Sequence, residues 1–119
     1  MSKILLVEDD ATMRMLLKTL LEIDGHQVEL VIDPKQDVLR TIMEHQPNVL
    51  IMDVHLRYQN GIEILKSIHK QELPWKLYIL MASGMVLRYE CLQAGADGFL
   101  MKPYMPEELT RQLIKAQSL

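Results

Sequence analysis

Glu8 and Asp9 close the apolar run Ile4-Leu5-Leu6-Val7, Asp53 closes Val49-Leu50-Ile51-Met52, and Lys102-Pro103 closes Phe99-Leu100-Met101. Carboxylates crowded together repel one another, so a hard cation that takes oxygen ligands, such as Mg²⁺, is their natural occupant. A lysine beside them adds a point charge suited to phosphate oxygens. Three acids and one lysine at strand ends therefore read as a metal-assisted phosphoryl site.

For these side chains to meet, the apolar runs must lie side by side and point the same way. Strands are predicted near Lys3-Val7, Gln27-Val31, Val49-Asp53, Leu77-Met81 and Gly98-Met101, with helical stretches in the gaps. Alternating strands and helices give a doubly wound parallel sheet covered on both faces, with its ligand crevice beyond the carboxyl ends of the strands. In the first helix Met13, Leu16, Leu17 and Leu20 recur at spacings of three and four, as do Val38, Ile42 and Met43 in the second. Both stripes are expected to face the core. Asp33-Pro34 is expected to cap and start the second helix. Met105-Pro106-Glu107-Glu108 opens the last one with acids where the helix dipole favours them, and that helix is expected to fray over Ala116-Gln117-Ser118-Leu119.

A chain of 119 residues, 49% hydrophobic, is one domain able to bury a continuous core without a disulfide or structural metal. Thirteen basic against sixteen acidic residues give a net charge of -3 without a basic run or an aromatic platform, which speaks against nucleic-acid contact by this segment. Cys91 is the only cysteine, so no internal disulfide can form, and a reducing cytoplasm is the expected compartment. No apolar run approaches the ~18 residues of a membrane span, and neither a membrane partner nor a signal peptide is expected. The nine methionines could suggest an adaptable binding surface, but Met15, Met43, Met52 and Met101 fall in predicted elements and are expected to fill the core.

The Glu8-Asp9 pair, Asp53, Gly61 and the segment Gly95-Ala96-Asp97-Gly98-Phe99-Leu100-Met101-Lys102-Pro103 together resemble the receiver domain of two-component response regulators, the CheY-like family, over about Lys3 to Ala116. The resemblance implies a flavodoxin-like (βα)5 fold with strand order 2-1-3-4-5. It also implies that Asp53 accepts a phosphoryl group, that Asp9, Asp53 and the His55 backbone carbonyl ligate Mg²⁺ directly, and that Glu8 does so through water. Lys102 would pair with the phosphoryl group, and its bond to Pro103 resembles the family's cis linkage. Phe99 resembles the switch aromatic that couples the chemistry to an output surface. The implied partners are a sensor histidine kinase or phosphotransfer protein upstream, and an output domain or downstream protein. An output domain following residues 1–119 in a longer protein would fit the same pattern.

Two positions depart from the family pattern. The hydroxyl residue that ends strand four aligns with Met81, giving a thioether where threonine or serine is usual; the alternative register gives that position to Ser83. Arg57 stands where a proline is common, with a looser loop or an added cation as the consequence. Each acid also has an ordinary reading, since acidic pairs after a strand often only cap helices. For His55, a metal-ligating side chain is the less favoured reading, because hard Mg²⁺ sites prefer oxygen.

The leading expectation is a phosphoacceptor signalling module whose enzyme character is limited to promoting its own phosphorylation and dephosphorylation. The alternative, motivated by Met81 and Arg57, is a pseudo-receiver that serves as an interaction scaffold without phosphate control.

Overall fold

The computed structural model describes residues 2–33 and 35–117. Five strands alternate with five helices: β1 (Lys3–Val7), α1 (Ala11–Ile23), β2 (Gln27–Val31), α2 (Val38–His45), β3 (Val49–Asp53), α3 (Gly61–His69), β4 (Tyr78–Ser83), α4 (Arg88–Gln93), β5 (Gly98–Met101) and α5 (Pro106–Gln117). All strand pairs are parallel, in the order β2-β1-β3-β4-β5. This is the expected doubly wound, flavodoxin-like sheet.

Strand side chains alternate between faces, which sorts the apolar runs into two cores. Leu5, Leu50, Met52, Ile79, Met81 and Phe99 pack with Val38, Ile42, Leu65 and Cys91 from α2, α3 and α4. Ile4, Leu6, Ile51, Leu80 and Leu100 pack with Leu17, Leu21, Leu109 and Leu113 from α1 and α5. Burial on both faces is why the central strands are continuously apolar rather than alternating.

Chain winding reverses between β1 and β3, which are neighbours although β2 lies between them in sequence. That reversal opens a crevice at the carboxyl ends of these two strands. Val7 pairs with Met52 there, so Glu8 follows one strand at the level where Asp53 ends the other. Local signals then turn the chain into its helices. Asp10 caps α1 by accepting from the Met13 amide at 3.0 Å, and Asn60 caps α3 by accepting from Ile62 at 2.8 Å. Gly61 begins α3 so close to β3 that a Cβ would overlap the Asp53 carbonyl oxygen, a position only glycine fits.

Several expectations need correction. The cap of α2 is Asp37, which accepts from the Arg40 amide at 3.1 Å. Asp33 instead closes a local turn by accepting from the Lys35 amide at 2.9 Å, and Pro34 lies outside the described residues. In α1 the buried stripe is Leu17 and Leu21, while Leu16 is half exposed. Met52 fills the core, but Met15, Met43 and Met101 are exposed. Helix α5 opens on Pro106 with Glu107 and Glu108 in its first turn, as expected, and runs to Gln117. Ser118 and Leu119, part of the expected frayed end, lie outside the described residues. Among the described residues no helix is long and apolar enough to cross a membrane.

Candidate functional site

Strand ends β1, β3 and β5 bring Glu8, Asp53 and Lys102 together, the two acids standing 94 and 49 positions from the lysine in the chain. The Lys102 Nζ donates to Glu8 Oε1 at 2.8 Å and spans both Asp53 oxygens, at 2.7 Å from Oδ1 and 2.9 Å from Oδ2. Both carboxylates are buried, Glu8 4% and Asp53 8% exposed. The bond from Lys102 to Pro103 is cis.

One ammonium serving two buried carboxylates leaves a negative charge uncompensated, and the titration directions follow from that. Burial and then the neighbouring Glu8 push Asp53 up to about 7, outweighing the pull of Lys102. Burial alone would raise Glu8 too, but hydrogen bonds from Asp53, Lys102 and the Asp10 amide hold it below the ordinary value. Lys102 is disfavoured by burial, yet the two acids outweigh this and raise it. The two acids thus titrate as a coupled pair, Asp53 above its ordinary value and Glu8 below it.

The third acid stands aside. Asp9 is half buried, and its Oδ2 accepts from the backbone amide of Arg57 in the loop after β3. Among the described residues no three Asp, Glu, His or Cys side chains are gathered within ligating range of one point. The donor set nonetheless fits a hard divalent cation: its side chains offer oxygen, and the Glu8–Asp53 pair carries the unbalanced charge such an ion would neutralise. Asp9, bonded to the Arg57 amide, is the acid that stands outside the pair. His55 is exposed and pairs with Asn60 in an isolated antiparallel bridge that closes the base of this loop.

Strand β4 runs beyond the expected end at Met81, and the reason is continued pairing. Ala82 is opposite Asp53, Ser83 is opposite Met101, and the Lys102 amide donates to the Ser83 carbonyl at 2.8 Å. Ser83, 2% exposed, is therefore the residue at the carboxyl end of β4, one step beyond Asp53 across the sheet. Its Oγ accepts from the Met85 amide at 3.0 Å. Met81 is wholly buried two residues earlier, opposite Met52 on one side and Phe99 on the other. The Phe99 ring is buried as well, with the Arg88 guanidinium 5.5 Å from its centroid.

Two neighbours of the acids escaped the reading of motifs. Arg14 of α1 donates from Nη1 to the Glu8 carbonyl at 2.9 Å; its spacing of six from Glu8 marks it only once α1 is placed. Tyr104, two residues after Lys102, has its phenol pushed up to about 12 by burial, against a smaller opposing pull from Lys102. Tyr104 and Lys102 line a small apolar cavity of about 130 Å³ with Met13, Leu17 and Leu109. A groove of about 600 Å³ between α1 and α5 lies away from the acids. A phosphoryl group needs charge and geometry rather than a deep pocket, so the acid cluster is the candidate site.

Comparison with known proteins agrees with this geometry. The family model described as the response regulator receiver domain matches residues 4–114. The chain is 30% identical over 114 residues to the chemotaxis protein CheY of Thermotoga maritima, covering 95% of each. It is 36% identical over 114 residues to the transcriptional regulatory protein CpxR of Escherichia coli K12, covering 95% of this chain and 48% of CpxR. The chain thus spans about half the length of CpxR and of other curated regulators it matches. The receiver domain of the sensor histidine kinase PA1611 from Pseudomonas aeruginosa PAO1, solved with a magnesium ion coordinated in its active site cleft, superposes with a TM-score of 0.86. It is 29% identical and covers 99% of this chain and 98% of that domain. Sheet order, the acids at the winding reversal and the match across nearly the whole chain lead to one assignment: the chain belongs to the response regulator receiver domain family.

Proposed function

We propose that this domain accepts a phosphoryl group on Asp53 from the phosphohistidine of a sensor histidine kinase or phosphotransfer protein, and releases it by hydrolysis. The observation that carries the proposal is Lys102 spanning Glu8 and Asp53 in the crevice where the sheet reverses. An Asp53 carboxylate oxygen forms the new O–P bond as the donor's N–P bond breaks, and the leaving imidazole keeps the electron pair. Lys102 then holds the phosphoryl oxygens instead of the second Asp53 oxygen. Glu8, Asp9, Asp53 and the His55 carbonyl would hold Mg²⁺, which supplies charge neutralisation and in-line orientation of the transferring group. The module acts in the cytoplasm, on an output domain of the same polypeptide or on a separate protein. Relatives of about twice this length support the first arrangement, and CheY of Thermotoga maritima, with which this chain is nearly coextensive, supports the second.

Ser83 takes the hydroxyl role and Phe99 the switch role. Ser83 at the end of β4 supports this reading over the scaffold reading that Met81 motivated. Incubation with acetyl phosphate tests the proposal: intact mass should rise by one phosphoryl group with Mg²⁺ and not with EDTA. A chain that takes no phosphoryl group under either condition would favour the scaffold.

Ser83→Ala should leave labelling intact and weaken its consequence. One hydrogen bond to a charged group contributes about 1.5 to 3 kcal/mol, so its loss lowers the ratio of switched to unswitched protein by about tenfold or more. Phe99 is the only phenylalanine, which lets a fluorinated ring report it alone. An undiminished fluorine shift on labelling of the Ser83→Ala protein would remove Ser83 from the switch.

A further inference from the structure

We propose that the backbone amide of Arg57 is a lock on Asp9, holding this acid out of the cation site so that residue 57 sets the metal affinity of the domain. The inference rests on the reading of Glu8, Asp9 and Asp53 as a cation site and adds what controls access to it. The Arg57 N–H donates to Asp9 Oδ2, a hydrogen bond strengthened by the charge on its acceptor. Asp9 is not gathered with Glu8 and Asp53 within ligating range, and its bond to Arg57 is what we take to hold it away.

The loop that presents this amide is itself tied down. The Lys35 ammonium sits 5.3 Å from the centroid of the Tyr58 ring, and Gln59 Nε2 donates to the Gln36 carbonyl at 3.0 Å. Its base is closed by the bridge between His55 and Asn60. Successive residues 57, 58 and 59 thus bind the loop to the β1–α1 turn on one side and to the β2–α2 turn on the other. The amide is presented at low entropic cost, and withdrawing it from Asp9 strains the other two ties.

Proline is the one residue that removes this lock, because it alone lacks the backbone donor. Arginine at 57 thereby adds a restraint that a proline could not supply, a consequence distinct from the looser loop or added cation expected from the sequence. The effect belongs to the main chain, so the guanidinium is dispensable to it.

Amide-resolved NMR of the whole chain tests this in two arms. Without metal, the Arg57 amide should exchange slowly with solvent, and Asp9→Ala should speed that exchange by about tenfold or more; equal rates would overturn the lock. In a Mg²⁺ titration, Arg57→Pro should tighten binding by roughly tenfold, the scale of one hydrogen bond to a charged acceptor. Arg57→Ala, which keeps the N–H, should bind as the parent does. Arg57→Pro with parental affinity and an unchanged spectrum outside residues 55–60 would defeat the lock and leave the cation site standing. Equal tightening in Arg57→Ala would also defeat it, by assigning the effect to side-chain charge. No Mg²⁺-dependent shift at Glu8, Asp9 or Asp53 in any variant would overturn the cation site, and the lock with it.

Discussion

At about pH 8 and without divalent metal, the Asp53→Asn protein should resist urea better than the parent chain, and the difference should close as the pH falls towards about 4. Asp53 is raised from an ordinary 3.8 to about 7, by burial first and by Glu8 second. Between those values the folded chain keeps a proton that the unfolded chain has released. Stability from this group is therefore complete below about 4 and is lost as the pH rises through about 7. Asparagine keeps a neutral, similarly shaped side chain throughout, so the parent falls behind across that window and then runs parallel. Roughly three units correspond to about 4 kcal/mol at most; sharing the shift with Glu8 brings the expected gap to about 2 to 4 kcal/mol. Parallel stability curves from pH 4 to 8 would show that Asp53 is not held protonated by its surroundings.

Lys102→Met should act in the opposite direction. It leaves Glu8 and Asp53 facing each other without a cation at 4% and 8% exposure. Removing one partner of a buried ion pair costs about 3 to 5 kcal/mol, chiefly the penalty of the charges left behind. Without the ammonium both carboxyls titrate higher in the fold, so the loss is largest near pH 8 and shrinks as acid protonates them. In the Asp53→Asn background only Glu8 is left unpaired, and the same substitution should cost less by about 1 kcal/mol or more. Urea unfolding of the four proteins measures that coupling. Additive effects would mean that Lys102 serves the two acids independently.

The strand-end acids and lysine were legible because each closes an uninterrupted apolar run, and a run buried on both faces has a sharp chemical end. Strand β4 lacks such an end: Ala82 and Ser83 are small, and Ser83 is polar, so the apolar run looks finished at Met81 although backbone pairing continues. The start of α2 was ambiguous for a related reason. Asp33 and Asp37 both accept from a following amide, but only the second does so at the head of a helix. Helix periodicity gave the right kind of stripe in α1 and missed its centre by one position, trading Leu16 for Leu21. Nothing in the sequence could single out the Arg57 amide, since every residue but proline carries that donor and only the fold puts Asp9 within its reach.

The chemistry turns on one atom pair, an Asp53 oxygen bonded to phosphorus. Borohydride reduction after acetyl phosphate treatment addresses it directly, because an acyl phosphate is reduced to an alcohol while a free carboxylate is not. Peptide sequencing by mass spectrometry should then find homoserine at position 53 in the Mg²⁺-treated parent, with Glu8, Asp9 and Asp10 recovered unchanged. Homoserine at position 9 or 10, or a reduced Glu8, in place of homoserine at position 53 would contradict the assignment of Asp53 as the phosphoacceptor.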